Sequence, residues 1–320
     1  MSERDVWIRE VGTRDGLQSI ATIFPTAAKL AWIEREAAAG VPEIEVGSFV
    51  PPKLLPQMAD TAEVVAAAQR IDGLRVSALV PNLRGAQNAF AAGVDQVNYV
   101  LSVSEAHSQA NVRKSVAEAI AEFGAIVDYR AAHPEYAHIR VASGLATAFG
   151  CTIAGPVALA DVVAAGEKLV ALGADELVVA DTVGYGNPAQ CREIFRAVLA
   201  LAGEVPVGAH FHDTRGLGLA NVDAALDVGV RHFDASLGGL GGCPYAPGAS
   251  GNIVTDDLVF MLEAMGLRTG VDLDRLLEAR ALMEGYLDGE ATHGAIVTAG
   301  PPKGFVAASA ATRPVRAASR

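Results

Sequence analysis

The chain has 320 residues, of which 51% are hydrophobic and 19% charged, a composition that can bury a sizeable core and rules out wholesale disorder. Lys and Arg number 25 against 37 Asp and Glu, a net charge of −12, so we expect no nucleic-acid-binding surface. Three cysteines, Cys151, Cys191 and Cys243, are too few and too scattered for a disulfide framework or a Cys-rich zinc site. They favour a reducing compartment, and we predict a cytoplasmic protein.

We expect no association with membranes. The N-terminal sequence MSERDVWIREVG is charged and then strand-like, without the apolar core of a signal peptide. Residues 141–160 carry no charge and are long enough to span a bilayer. Their Gly, Pro, Ser and Thr residues instead indicate a strand, a loop and the start of a helix.

Short β-branched runs alternate with longer Ala-rich segments along most of the chain. This alternation predicts eight strands, at 7–11, 43–46, 75–80, 96–101, 138–142, 176–180, 207–211 and 231–235. Apolar residues at helical spacing predict helices near 26–39, 57–70, 83–92, 109–132, 157–172, 188–202, 214–228 and 253–265. Glycine follows several of these helices, as at Gly40 and Gly93, where it supplies a left-handed C-cap.

Eight strand–helix alternations without a break in composition predict an α/β fold, a (β/α)8 TIM barrel forming one domain over residues 1–290. Within it, residues 266–290 are predicted to be a C-terminal helical extension. Residues 291–320 lack acidic side chains and are rich in Gly, Ala, Pro and Arg, which predicts a mobile tail. The alternative is a doubly wound open sheet, but no G-x-G-x-x-G motif opens the first helix.

Polar residues follow several predicted strands, at the barrel end where active sites of this fold lie. His210 and His212 are two residues apart on a strand, so their side chains leave the same face. With the carboxylate of Asp15, they would suit Mg²⁺, Mn²⁺ or a similar six-coordinate ion. The alternative is a pair of barrel histidines that only form hydrogen bonds with their neighbours.

Other residues at strand ends are candidate reactive groups. Arg14 either pairs with Asp15 or stabilises a developing oxyanion. Glu45 and Asp181 could be metal ligands, partners of the histidines or bases. Cys243 lies in a glycine-rich loop after the eighth strand, where a thiol could act as a proton donor or nucleophile.

Seven segments resemble one known family when they are read together and in order: EVGTRDGLQ (10–18), IEVGSFV (44–50), PKLLPQMAD (52–60), PNLRG (81–85), DTVG (181–184), HFHDT (210–214) and SLGGLGGCPY (236–245). They are similar to 3-hydroxy-3-methylglutaryl-CoA lyases, metal-dependent barrel enzymes with an R-D motif after strand one. The resemblance covers roughly residues 5–285.

The resemblance implies a role for each matching position. A divalent cation (Mg²⁺ or Mn²⁺) would be held by Asp15, His210, His212 and Asn252. Arg14 would stabilise the enolate of the product, Cys243 would protonate it, and Glu45 and Asp181 would act near the metal and the substrate, Asp181 by helping to remove the hydroxyl proton. Gln18 and Asn111 would bind the acyl-CoA substrate. We also expect a homodimer.

The chain departs from the family pattern at Ser19-Ile20, at Gly47 and at Thr152-Ile153. We expect these residues at the mouth of the substrate pocket, where they would tune the choice of acyl group. The predicted activity is cleavage of a 3-hydroxy-3-methylglutaryl-CoA-like thioester to acetyl-CoA and an oxoacid. The alternatives are cleavage of a related thioester such as citramalyl-CoA, a condensing acyltransferase, and a non-enzymatic barrel that only binds ligands.

Overall fold

Eight parallel strands close into a barrel in which each strand pairs with its sequence neighbours and the last pairs with the first. The structure, a computed structural model, describes residues 4–242, 251–287 and 289–310. The strands are β1 (Trp7–Glu10), β2 (Glu43–Ser48), β3 (Arg75–Val80), β4 (Gln96–Ser102), β5 (Arg140–Ala146), β6 (Glu176–Asp181), β7 (Val207–Phe211) and β8 (His232–Ala235). The predicted TIM barrel is confirmed.

Helices surround the barrel and cover its outer face. In the described residues they are α1 (Thr26–Ala39), α2 (Thr61–Ala68), α3 (Leu83–Ala92), α4 (Glu105–Val112), α5 (Val116–Ala131), α6 (Leu159–Ala171), α7 (Pro188–Ala202), α8 (Gly218–Asp227), α9 (Thr255–Ala264), α10 (Leu273–Glu284) and α11 (Ile296–Ala299). None of these helices combines the length and apolar character that crossing a membrane requires.

The predicted helix 109–132 is instead two helices, α4 and α5. Arg113 adopts a left-handed conformation with φ 57° and ψ 35°, which ends α4. Ser115 then caps α5, because its hydroxyl accepts from the Glu118 backbone N–H and the Glu118 side chain accepts from the Ser115 backbone N–H. The break turns residues 111–114 toward the open end of the barrel, where they line a cavity.

The interior of the barrel contains a buried layer of charge. Arg9 on β1 donates from Nε to Glu43 (2.5 Å) and from an Nη to Glu176 (2.6 Å), and its other Nη lies 3.2 Å from Asp234. All four side chains are buried. Burial by itself lowers the pKa of Arg9, but the three carboxylates outweigh it and raise the pKa well above its ordinary value. The guanidinium therefore cross-links β1, β2, β6 and β8 from the inside.

Helix α10 packs against α1, and the described part of the C-terminal segment continues over the barrel. The backbone N–H groups of Ala295 and Ile296 donate to Asp257, at 2.8 and 2.7 Å. Ser309 donates from its backbone and its hydroxyl to Glu263. These bonds join residues 291–310 to α9, while the mobility of the segment from residue 291 stays a prediction. Residues 311–320 lie outside the described residues.

Candidate active site

A cavity of about 700 Å³ extends from the interior of the barrel to the C-terminal ends of its strands. Its inner wall is largely apolar, with residues such as Val100, Ala146 and Val178. Charged and polar side chains converge at its base: Arg9, Arg14, Asp15, Glu45, Asn98, His210, His212 and Asp234. Polar groups grouped within an apolar cavity are typical of a site that binds and orients a small ligand.

Asp15 and Arg14 reach the cavity from a tight π-helical turn, Gly12–Gly16, that directly follows β1. The Val11 carbonyl accepts from the backbone N–H groups of Arg14 and Asp15, at 3.1 and 2.7 Å. Gly12 is needed in this turn, since a Cβ there would lie 2.5 Å from a Glu10 carboxylate oxygen. The turn therefore places two adjacent charged side chains at the end of the barrel.

Asp15, His210 and His212 are buried and form a cluster that could hold a metal ion. The Nε2 atoms of the two histidines are 3.1 Å apart. The Asp15 Oδ2 atom lies 3.6 Å from the Nε2 of His212 and 4.0 Å from that of His210. Two imidazole nitrogens and a carboxylate oxygen that converge in this way are a typical ligand set for a divalent transition metal or Mg²⁺-like ion.

Asn252 lies beside this cluster, where it forms an isolated antiparallel bridge with His212. Its Nδ2 donates to Asp15 Oδ2 (2.7 Å) and to the Leu240 carbonyl (3.0 Å). Its Oδ1 is buried without a hydrogen-bond partner in the described structure. A buried amide oxygen without a donor costs free energy unless something else, such as a cation, satisfies it.

The Arg14 guanidinium is held between two carboxylates. It donates from Nη1 to Asp15 (2.6 Å) and from Nε to Glu45, whose other oxygen accepts from Asn98 (2.8 Å). Burial raises the pKa of Asp15, but Arg14 and then the two histidines reverse this and hold it well below its usual range. Asp15 is therefore a carboxylate at any physiological pH, as a metal ligand must be.

His210 is held from behind by Asp234. The Nδ1 of His210 is 3.1 Å from Asp234 Oδ2, while its Nε2 belongs to the cluster with Asp15 and His212. Burial lowers the pKa of His210, but the hydrogen bond and charge of Asp234, followed by the charge of Asp15, raise it overall. An ionised carboxylate only accepts, so the proton of a neutral His210 belongs on Nδ1 and the Nε2 lone pair faces the cluster.

The structure brings most of the predicted site residues to this cavity. Gln18 lines it and donates to Asp15 at 3.1 Å, and Asn111 lies on its outer wall. Cys243 lies outside the described residues, although Gly242, directly before it, lines the cavity.

Among the described residues, two predicted site residues do not line the cavity: Asn252, which instead donates to Asp15, and Asp181. Its neighbours Ala180 and Thr182 line the cavity, whereas Asp181 does not. Its two carboxylate oxygens accept from the backbone N–H groups of Tyr185 and Gly186, at 2.8 and 2.9 Å. Burial raises the pKa of Asp181 against these bonds. The side chain of Asp181 is therefore turned away from the cavity and secures the loop after β6, and its part in removing a substrate proton stays a prediction.

Ile20 and Ile153, two of the residues that depart from the family pattern, also lie elsewhere. Neither Ile20 nor Ile153 is among the described residues that line the cavity. Ile153 is 51% exposed, and Ile20 packs partly against the core, while its carbonyl accepts from Gln57. Direct contact of these side chains with an acyl group in the cavity is therefore not supported.

Sequence reasoning missed several polar residues of the cavity, among them Asn98, His107 and Asp234. Strand alternation could have pointed to Asn98 and Asp234. Asn98 lies two residues after Gln96, and Asp234 two residues after His232, so each pair shares one face of its strand. His107 had no such signal. It comes to the cavity because α4 begins early, and its Nδ1 lies 2.8 Å from the Ser102 hydroxyl.

Comparison with known proteins identifies the family. The HMGL-like family model matches residues 5–283. The hydroxymethylglutaryl-CoA lyase YngG of Bacillus subtilis is 40% identical over 281 residues, which is 88% of this chain and 93% of that protein. The mitochondrial hydroxymethylglutaryl-CoA lyase of Mus musculus is 42% identical over 279 residues, 86% of this chain and 84% of that protein. The structure of an HMG-CoA lyase from Acinetobacter baumannii, in complex with coenzyme A and 3-methylmalate, matches with a TM-score of 0.88 at 40% identity, and the match covers 96% of this chain and 99% of that one. This chain belongs to the HMGL-like family of carbon–carbon lyases.

Proposed function

We propose that this protein cleaves 3-hydroxy-3-methylglutaryl-CoA to acetyl-CoA and acetoacetate. The observation that carries the proposal is the buried cluster of Asp15, His210 and His212 beside Arg14 at the base of the cavity, in a chain about 40% identical to named hydroxymethylglutaryl-CoA lyases. The reaction breaks the C2–C3 bond of the acyl chain. The C3 hydroxyl loses its proton and becomes a ketone, and the bonding electrons pass to C2 as the enolate of acetyl-CoA.

A divalent cation, Mg²⁺ or Mn²⁺, fits the residues at the base of the cavity. Asp15, His210 and His212 would hold it through one atom each, and the unpartnered Oδ1 of Asn252 would be a fourth ligand, an oxygen of the hard kind that such ions take. When bound, the cation would supply a Lewis acid for the hydroxyl and the developing carbonyl of the substrate. The residues themselves keep the required donor forms, because Asp15 is ionised and the His210 proton belongs on Nδ1.

Arg14 stabilises the enolate. Of its five N–H groups, one on Nε and one on Nη1 are bound to Glu45 and Asp15, and the rest are available to an oxygen in the cavity. The two carboxylates fix the guanidinium in one orientation before substrate arrives. A fixed cation in a largely apolar cavity stabilises a developing negative charge with little reorganisation.

Two proton transfers complete the reaction. Glu45 lines the cavity and is the carboxylate we assign to the removal of the hydroxyl proton, since Asp15 and Asp234 contact the two histidines of the cluster, whereas Glu45 contacts Arg14 and Asn98 instead. Cys243 is the acid that we assign to protonation of the enolate. Supporting this, the chain enters residues 243–250 from Gly242 on the cavity wall and leaves them at Gly251, next to Asn252. Replacement of Cys243 by serine, a much weaker acid, is expected to slow turnover while the metal remains bound.

A smaller acyl group is the second candidate substrate. The relative from Acinetobacter baumannii holds coenzyme A together with 3-methylmalate, a hydroxy dicarboxylate one carbon shorter than 3-hydroxy-3-methylglutarate. A thioester of similar size, such as citramalyl-CoA, would give acetyl-CoA and pyruvate by the same steps. A cytoplasmic location and a homodimer are predictions that accompany this proposal.

The test is a product assay with defined thioesters. The purified chain is incubated with 3-hydroxy-3-methylglutaryl-CoA or citramalyl-CoA in Mg²⁺, in Mn²⁺ and in EDTA, and the acetyl-CoA and oxoacid are measured by mass spectrometry. We expect metal-dependent release of acetyl-CoA and acetoacetate in equal amounts. The absence of acetyl-CoA from either thioester, in protein shown to contain metal, would contradict the proposal. Faster cleavage of citramalyl-CoA than of 3-hydroxy-3-methylglutaryl-CoA would make citramalyl-CoA the proposed substrate.

A further inference from the structure

The turn between α4 and α5 is held in a conformation that is unfavourable for its residue. Arg113 has φ 57° and ψ 35°, and its backbone N–H donates to the Gln109 carbonyl at 3.2 Å. This C-cap position usually carries Gly or Asn, because an L side chain in the left-handed region costs about 1 kcal/mol or more. Strain of this kind persists in proteins mainly where the side chain has a function.

The same turn forms one side of the cavity entrance. Asn111, Arg113 and Lys114 all line the cavity, and Arg113 is exposed to solvent. Across the entrance are Pro51 and Leu54 from the segment after β2, and Leu54 is 77% exposed. The turn therefore lies where a long ligand, bound at the base of the barrel, would leave the protein.

The two cations at the entrance differ from those deeper in the cavity. Arg9 and Arg14 are buried and paired with carboxylates. Arg113 has no ion pair in the described part of the chain. Lys114 pairs with Glu122 at 2.6 Å, but that carboxylate also accepts from the Leu83 backbone N–H at 2.7 Å, and the Lys114 side chain remains 30% exposed. The described charged residues that line the entrance are thus both positive, in a chain with a net charge of −12.

We infer that Arg113 and Lys114 form a phosphate-binding site that holds the nucleotide end of the acyl-CoA substrate. This inference rests on the proposed function, which places the acyl group at Asp15 and the histidines. The pantetheine arm then runs along the apolar wall, and the diphosphate and the 3′-phosphate come to the entrance. An arginine binds phosphate through two parallel N–H donors, and a lysine adds a point charge. An acidic protein needs such a local positive site to attract a polyanionic substrate.

The test is a series of thioesters that lose phosphate groups in steps: 3-hydroxy-3-methylglutaryl-CoA, its 3′-dephospho form, and the pantetheine thioester, which has neither the 3′-phosphate nor the diphosphate. Each is assayed with the metal-loaded parent, with Arg113→Gln and Arg113→Gly, and with Arg196→Gln, which removes an exposed arginine of α7 remote from the cavity lining. We expect both Arg113 variants to lose about tenfold in kcat/KM on the full thioester, the effect of one charge-assisted contact. On the pantetheine thioester they should equal the parent.

The 3′-dephospho thioester shows which phosphate group Arg113 binds. If the loss disappears with the 3′-dephospho thioester, Arg113 binds the 3′-phosphate; if it disappears only with the pantetheine thioester, Arg113 binds the diphosphate. Arg113→Gly relieves the left-handed conformation, so it should melt no lower than the parent, which separates lost binding from lost folding. An equal loss on all three thioesters, or none on any, would overturn the inference.

A binding measurement separates this inference from the proposed function. Calorimetric titration of coenzyme A and of pantetheine requires no turnover. We expect Arg113→Gln to weaken binding of coenzyme A about tenfold and to leave pantetheine unchanged. If the parent cleaves no thioester, but Arg113→Gln binds coenzyme A more weakly than the parent and pantetheine equally well, the proposed reaction fails and the phosphate site stands. If the parent cleaves the thioester but Arg113→Gln binds coenzyme A normally, the phosphate site fails alone.

Discussion

At the scale of single residues, Asp234 shows how a side chain can support a site through the histidine that it contacts. It accepts from Arg9 through one oxygen and contacts His210 Nδ1 through the other. Arg9 is itself fixed by Glu43 and Glu176. The buried charge layer of the barrel thereby fixes the orientation of one histidine, whereas the Nδ1 of His212 has no hydrogen-bond partner in the described structure.

Replacing Asp234 by alanine should therefore weaken metal binding more than it affects chemistry. Loss of a carboxylate behind a ligating histidine lowers metal affinity by about 10- to 100-fold, so we expect Mn²⁺ titrations to show that loss and excess metal to restore much of the turnover. Glu176→Gln is the matched control, because it perturbs the same arginine without touching His210. Equal metal affinity in the parent and Asp234→Ala would refute the role of Asp234.

Replacing Arg14 should have the opposite effect and slow the chemical step more than it weakens metal binding. Because it faces the cavity and is assigned to the enolate, Arg14→Gln should lower kcat by about 100- to 1,000-fold, the range found when a donor to a developing oxyanion is removed. Metal affinity should change much less. Arg14→Lys keeps the charge but not the planar fork that joins Asp15 and Glu45, so it should recover only part of the rate. The measurements are single-turnover rates and Mn²⁺ binding in the same preparations, and full activity of Arg14→Gln would exclude the assignment.

At the scale of elements, one carboxyl group at the end of β1 joins three segments. Glu10 accepts from the backbone N–H groups of Gly12 and Leu237, at 2.7 and 2.9 Å, and from the Thr255 hydroxyl at 2.6 Å. It therefore connects the turn carrying Asp15 with the turn after β8 and the start of α9. Burial raises the pKa of Glu10 to about 7 against these bonds. Burial, and then the charge of Glu10, raises the pKa of Glu36 on α1 well above its ordinary value.

This pair predicts a pH-dependent stability. Both carboxyls have a higher pKa in the folded chain than in the unfolded one, so their contribution is fully present below about pH 4.5 and is lost as the pH rises through 7. Glu36→Gln removes one charge, and its melting temperature should fall less than that of the parent between pH 5 and pH 8. Glu34→Gln, on the exposed face of the same helix, is the control and should follow the parent. Parallel curves for Glu36→Gln and the parent would show that the pair is not the source.

How far the elements could be predicted depended on how local their signals are. β3 and β7 were predicted with their observed bounds because each is a short and largely apolar run. The break between α4 and α5 was missed because a left-handed arginine leaves no sequence signal. The capping pair of Ser115 and Glu118 did leave one, and reading it would have started α5 correctly.

Residues of the candidate site were likewise predictable where their sequence signals are local. The chain-order position of Asp15, His210 and His212 at strand ends was enough to predict their cluster, since parallel strands of a barrel end at one face. Asp181 shows what strand alternation could have added: Ala180 and Thr182 line the cavity, so the side chain of Asp181 leaves the opposite face. The coupling of Asp234 to Arg9 across the barrel joins residues 225 positions apart, and no local pattern could reveal it.

At the scale of the whole molecule, the C-terminal segment connects the outer surface to the active site. His293 donates from its backbone N–H to the Gly238 carbonyl at 2.8 Å. Gly238 and Gly239 pack so closely on this segment that an added Cβ would lie 3.2 Å from Thr292 and 3.3 Å from His293, respectively. The next residue, Leu240, accepts from Asn252. Farther along, the Phe305 and Phe260 rings are 5.2 Å apart, and Ser309 bonds to Glu263.

Two truncations test this connection. Removing residues 291–320 deletes the bonds to Asp257, Glu263 and Gly238. At about 0.5–1.5 kcal/mol for each hydrogen bond, the loss should lower the melting temperature by roughly 5 to 10 °C. Metal affinity should fall with it, because the support of the turn next to Asn252 is lost. Removing only residues 311–320 is the matched control and should leave both quantities near the parent values. If the longer truncation melted like the shorter one, residues 291–310 would contribute nothing to stability. If it melted lower but bound Mn²⁺ normally, the segment would hold the barrel surface without supporting the site.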